Sequence, residues 1–213
     1  LANTMTLAIF PYLTKHWLGD KSKVFGMFRK LFKMLVILSM AFSLTAAILS
    51  DNIIMLVFGS QFKESIILFR LLVFALPPLF LMHLTNRTLD AVGEQRFKAN
   101  TMIVGVIINV VLNFLLIYKF KAVGASIATV VTSIFLVVVH AIYLRRRMGF
   151  SSVGVSFIKI PVCLIGLSAV ILSLKEFNWF MAAFTGLTAY CVLLLLLKVL
   201  KIEDILFLIR KTA

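Results

Sequence analysis

Few side chains in this sequence could act on a charged ligand, and most of them sit inside apolar runs. Arg70 follows Ile66-Ile67-Leu68-Phe69 and precedes Leu71-Leu72. A guanidinium in that setting either snorkels along its own stem to an aqueous interface or lines a water-filled cavity, where it would attract a phosphate-bearing or otherwise anionic substrate. Farther along the same run, Pro77-Pro78 removes two backbone donors, which kinks a helix and offers a hinge. His83, Arg87 and Asp90 recur at i, i+4 and i+7, on one face of a helix. Arg87 and Asp90 are spaced to pair, and the group suits an interfacial ion pair or a gate that meets a headgroup. Asn109 and Asn113, one turn apart, carry amides that neighbouring helices or a cavity must satisfy. Ser126, Thr129, Ser133 and His140 form a further polar stripe, with His140 expected at an interface beside Arg145. Gly124-Ala125-Ser126 and Ala128 allow a neighbouring helix to come close.

The remaining patterns argue against catalysis. There is no Walker A loop, no nucleophile elbow, no HExxH and no pair of aspartates in the apolar runs. Cys163 and Cys191 stand far apart without metal-ligand spacing and read as small apolar residues. Neither a metal nor a cofactor is expected, and the protein is read as a non-enzyme.

The elements that hold these residues follow from composition. Of 213 residues, 62% are apolar and only 14% charged, more apolar surface than a water-soluble fold of this size can hide. The expected class is all-α: a polytopic transmembrane bundle with six full spans and one partial span. The partial span is Leu1 to about Leu13, the end of a helix whose beginning is absent, so the chain reads as a fragment. The full spans run over about Leu31–Leu49, Ser65–Leu84, Thr101–Tyr118, Gly124–Leu144, Phe157–Leu174 and Phe180–Leu197, each close to the ~20 residues a bilayer requires. Lys198–Ala213 alternates Ile and Leu with charge and suits an interfacial helix.

The formal charge of +14 taken alone suggests a nucleic-acid binder. Its distribution excludes one. Sixteen of the 22 Lys and Arg fall in alternate connections: six over 15–33, three over 87–98, Arg145 to Arg147, and four in the tail. Lys63, Lys119, Lys121 and Lys175 occupy the other side, and Arg70 and Lys159 lie within spans. Such an alternation marks the basic side, and with it the C-terminus, as cytoplasmic. Anionic membrane lipids are partner enough for this charge.

The connections carry a further pattern. Phe10-Pro11-Tyr12-Leu13 is followed by the run Ile53 to Phe62 (IIMLVFGSQF), then Leu89 to Gln95 (LDAVGEQ), Ile107 to Phe114 (IINVVLNF) and Val123 to Thr129 (VGASIAT). In that order the series resembles the C-terminal half of polysaccharide-type flippases, the O-antigen and teichuronic-acid exporters of the multidrug/oligosaccharidyl-lipid/polysaccharide superfamily. The resemblance implies a C-terminal flippase bundle over 1–145, with two peripheral helices and an amphipathic tail over 146–213. It implies the C-terminal lobe of a two-lobe transporter of the bacterial inner membrane, flipping an undecaprenyl-diphosphate-linked oligosaccharide by alternating access for surface polysaccharide synthesis. The implied partners are that lipid-linked oligosaccharide, the missing N-terminal half of the chain, and a polysaccharide polymerase. Arg70 best matches the family's cavity cations, with His83 and Arg87 next, Asn109 and Asn113 as cavity candidates, and Pro77 and Pro78 as hinge candidates. A lipid II flippase would be expected to show more cavity arginines, and a drug exporter a membrane Asp or Glu. From another class, a membrane-embedded sugar-chain transferase or ligase would need catalytic groups on a large outer loop.

Overall fold

The structure is a computed structural model that describes residues 2–17, 19–148 and 156–200. Among the described residues every regular element is helical. They are α1 (Ala2–Trp17), α2 (Lys21–Ile48), α3 (Ser50–Val57), α4 (Ser65–Leu72), α5 (Leu76–Ala91), α6 (Gln95–Met148), α7 (Ser156–Leu174) and α8 (Trp179–Leu196), with 3-10 turns at Ser60–Phe62 and Val73–Ala75.

Local chemistry explains the boundaries. Asp20 caps α2 by accepting from the backbone N–H of Ser22 (3.1 Å) and Lys23 (3.3 Å), and Asn178 caps α8 through Phe180 and Met181 in the same way. α5 stops in a Schellman motif. Gly93, at φ +82°, donates to Asp90, and Glu94 donates back to Leu89 at 2.8 Å, which satisfies carbonyls a helix end leaves open. At the other end of α5, Pro77 and Pro78 occupy its first turn, where a missing N–H costs least.

α6 resolves into an antiparallel hairpin. A straight helix of its length would reach about 80 Å, more than twice the ~30 Å hydrocarbon core. Lys121, at φ 50° and ψ −130°, breaks it. The two limbs, 95–120 and 122–148, then run side by side. Phe97 stacks on Tyr143 with ring centroids 3.6 Å apart, Thr101 meets His140 at 2.7 Å, and Asn109 meets Thr132 at 3.3 Å. At the bend a Cβ on Gly124 would lie 2.3 Å from the Leu116 carbonyl oxygen, so only glycine fits. The expected spans Thr101–Tyr118 and Gly124–Leu144 lie one on each limb.

Two apolar clusters share α2. One gathers Leu13, Val24, Leu31 and Leu35 with Leu84, Leu89 and Leu144, from α1, α2, α5 and α6. The other gathers Ile37, Ala41 and Leu49 with Cys163, Leu167, Ile171 and Leu194, so α7 and α8 lie against the second half of α2. Lys159 sends its ammonium to the Leu197 carbonyl at 3.2 Å, at the C-terminal end of α8, where the helix dipole favours a cation.

Among the described residues four helical stretches are long and apolar enough to cross a membrane: Lys21–Ile48, Ser65–Ala91, Gln95–Arg147 and Trp179–Leu196. Lys159–Leu174 is a shorter apolar helix. Most of the interfacial helix expected over Lys198–Ala213 lies outside the described residues.

Candidate functional site

Arg70 is built into the junction between α2 and α3. Its Nε donates to Ser50 Oγ at 3.0 Å and its Nη2 to Asp51 Oδ1 at 2.9 Å. Ser50 is buried, whereas the Arg70 and Asp51 side chains are 42% and 52% exposed. The guanidinium is thus a paired group at the end of the bundle, neither free in a deep cavity nor merely extended to water. It borders a recess of about 310 Å³ lined by Ala47, Ile48, Asp51, Arg70, Phe74, Leu172 and Lys175.

The proline break stands seven residues farther on. In an unbroken helix the Val73 carbonyl would accept from the N–H of residue 77, which proline lacks. The chain tightens into the 3-10 turn Val73–Ala75, where Leu76 N–H donates to Val73 O. The buried Ser43 of α2 supplies a second donor to that carbonyl, Oγ to O 2.6 Å. The break is therefore clasped from α2.

On α5, His83 is exposed and Arg87 half-buried, and neither has a hydrogen-bond or ion-pair partner among the described residues. α1, α2 and α6 cover the other sides of this helix. The Arg87–Asp90 pairing that the spacing allows is not made. Asp90 pairs with Lys98 instead, because the Schellman turn brings the start of α6 back over the end of α5. Beside them Glu94 accepts from Tyr143 Oη at 2.7 Å and Arg147 Nε at 2.9 Å, tying the α5–α6 turn to the far end of α6.

Asn113 Nδ2 donates to Asn109 Oδ1 at 2.9 Å, and Asn109 Nδ2 donates to Thr132 Oγ1 at 3.3 Å. This amide–amide–hydroxyl chain joins the limbs of the hairpin. His140 lies between helices. It is fully buried, with Nε2 2.7 Å from Thr101 Oγ1 and Nδ1 3.5 Å from Thr85 Oγ1. It sits where both limbs of α6 meet α5, because the hairpin folds its stripe inward.

The structure thus brings Asn109 and Asn113 together, sets His83 and Arg87 on one uncovered face, and places Arg70 and the proline break on adjoining turns. Sequence reasoning missed Ser43, Ser50, Asp51 and Lys175. The one available signal was the scarcity of acids: Asp51 is among only eight in the chain and so an evident partner for a semi-buried arginine. No group of three His, Cys, Asp or Glu among the described residues could hold a metal ion.

A family model described as lipid II flippase MurJ matches residues 1–196. The chain belongs to this family. Its apolar helices and that membership make it part of a multi-pass membrane protein, in a family of transporters rather than catalysts. A curated relative, the probable low-salt glycan biosynthesis flippase Agl15 of Haloferax volcanii, is 28% identical over 158 residues, 70% of this chain and 33% of the relative. The chain therefore spans about a third of the length of that protein. The flippase superfamily expected from the connections is the one found, but the matching model is of the MurJ type and not of the O-antigen or teichuronic-acid type. The number of cavity arginines expected of a lipid II flippase does not separate the branches on this chain, since so much of a full-length relative lies outside the matched region.

Proposed function

We propose that the full-length protein carrying this chain flips a polyprenyl-diphosphate-linked glycan across the cytoplasmic membrane by alternating access. The MurJ-family match over residues 1–196 carries this reading, and the glycan flippase relative supports it. In it the chain crosses the membrane six times and α1 is the end of a seventh crossing. The basic connections and the C-terminus are cytoplasmic, as basic residues at span ends favour. Residues 1–145 form the flippase bundle proper, and α7 and α8 lie at its periphery. The uncovered His83–Arg87 face of α5 turns toward the other lobe and meets the diphosphate, while the break at Pro77-Pro78 lets α5 swing against α4. Arg70, Asn109 and Asn113 shape the bundle around that face.

Two cargoes fit the reading. The family model favours lipid II, whereas the glycan flippase relative and the motif series of the connections favour a lipid-linked oligosaccharide destined for surface polysaccharide. Depletion of the full-length protein separates them. Lipid II held in the inner leaflet while oligosaccharide-lipid is exported identifies the first cargo, and the reverse identifies the second. Normal export of both, with no second flippase expressed, overturns the proposal.

A further inference from the structure

The recess beside Arg70 has the makings of an anion site distinct from the uncovered face of α5. Its charged members come from three places in the chain: Asp51 at the start of α3, Arg70 in the last turn of α4, and Lys175 just beyond α7. Two cations against one carboxylate leave it net positive. Asp51 and Ser50 engage Arg70 through Nη2 and Nε, which fixes the plane of a guanidinium that has five N–H donors in all and spare ones for an incoming oxyanion. The Lys175 ammonium has no hydrogen-bond or ion-pair partner among the described residues, though it lines the recess. The rest of the lining is apolar, and Phe74 and Leu172 are 46% and 51% exposed. A phosphate between two cations, with hydrocarbon running down an aromatic and an aliphatic wall, is the chemistry of an anionic amphiphile at a membrane interface.

We propose that the Arg70–Lys175 recess binds the phosphate of an anionic lipid whose acyl or prenyl chains lie against Phe74 and Leu172. The site is on the end of the bundle away from the basic connections, where fixed positive charge is scarce: Lys63, Lys119, Lys121 and Lys175 are the lysines of that side. A lipid held there bridges α4 to the end of α7. The inference rests on the chain lying in a membrane and not on which glycan it moves.

The test uses the full-length protein in nanodiscs of phosphatidylcholine, titrated with phosphatidylglycerol, with an undecaprenyl diphosphate, or with inorganic phosphate, and read by native mass spectrometry of retained lipid. Lys175→Gln breaks no side-chain hydrogen bond or ion pair among the described residues, so this variant should keep its fold. It is expected to weaken retention of the anionic lipid about fivefold, the effect of one basic residue at an anionic surface. Lys63→Gln, exposed on the same side but outside the recess, is expected to leave retention unchanged. Saturable retention of phosphatidylglycerol assigns the site to bulk lipid, and preference for the prenyl diphosphate assigns it to cargo or spent carrier. Inorganic phosphate is expected to compete weakly because it has no chain to lay on Phe74 and Leu172. Equal losses with Lys63→Gln and Lys175→Gln, or retention independent of headgroup charge, overturn the proposal.

Discussion

Ser43 offers the sharpest test of how the broken helix is held. Its hydroxyl is buried and donates at 2.6 Å to Val73 O, the carbonyl that Pro77 deprives of its ordinary helical donor. Ser43→Ala removes this bond and leaves Val73 O with only the Leu76 N–H of the 3-10 turn. A buried hydrogen bond contributes about 0.5–1.5 kcal/mol net in proteins, and interhelical bonds in membranes average about 0.6 kcal/mol, so a loss of roughly 1 kcal/mol is expected. The diagnostic quantity is its dependence on Pro77. Pro77→Ala restores an N–H four residues beyond Val73, and with that donor present Ser43→Ala should cost close to nothing. The assay is a double-mutant cycle on the unfolding free energy of the full-length protein in detergent. A coupling of about 1 kcal/mol supports the clasp. An equal Ser43→Ala cost in both backgrounds refutes it, because Ser43 would then contribute packing alone.

Three further outcomes follow from local geometry. Gly124→Ala sets a methyl 2.3 Å from the Leu116 carbonyl oxygen at the bend of α6 and should lower thermal stability by at least the ~1–3 kcal/mol of an overpacked core; Gly26→Ala, with nothing within 4 Å of the added carbon, should be neutral or slightly stabilising, and similar losses at both sites would refute the hairpin. The Ser22 hydroxyl holds the Asp20 carboxylate below its ordinary value of 3.8. The stability its cap contributes is therefore present in full above that value and is lost as pH falls through the lowered one, a decline that melting curves should show and that Asp20→Ala should flatten. Tyr143→Phe removes the 2.7 Å bond to Glu94 and is expected to lower the melting temperature, whereas Arg147→Ala, 57% exposed, should lower it less, as exposed ion pairs contribute little; the opposite ranking in thermal melts would overturn this reading of the turn.

Much of the architecture was legible because lipid imposes simple rules on sequence. Runs of apolar residues near bilayer length gave the helical class, and the Lys119–Lys121 interruption fell where α6 turns back. Pro77-Pro78 announced a break, and the polar stripes marked faces that must meet other helices. What stayed hidden depends on partners brought together only by folding. Asp51 reaches Arg70 because the chain departs from helical geometry at Leu49, between α2 and α3 (φ −94°, ψ 13°). Ser43 looked like one more small residue in an apolar run, since its partner is a backbone carbonyl thirty positions away. His140 is buried because the hairpin sets it against Thr101 and Thr85, partners that no local pattern names. Lys98 displaced Arg87 as the partner of Asp90 because the turn at Gly93 reverses the chain. The branch of the superfamily was no more legible: the motif series resembles the O-antigen and teichuronic-acid exporters, whereas the family model that matches is MurJ.

The central claim is that the full-length protein moves a lipid-linked glycan between leaflets, and reconstitution measures this most directly. Purified full-length protein in vesicles carrying fluorescent lipid II or a diphosphate-linked oligosaccharide would be scored by protection of the label from a membrane-impermeant quencher. The account predicts protein-dependent redistribution of one of these cargoes, slowed by Arg87→Ala. Contradiction would be an unchanged leaflet distribution of both cargoes, with correctly folded protein present in the vesicles.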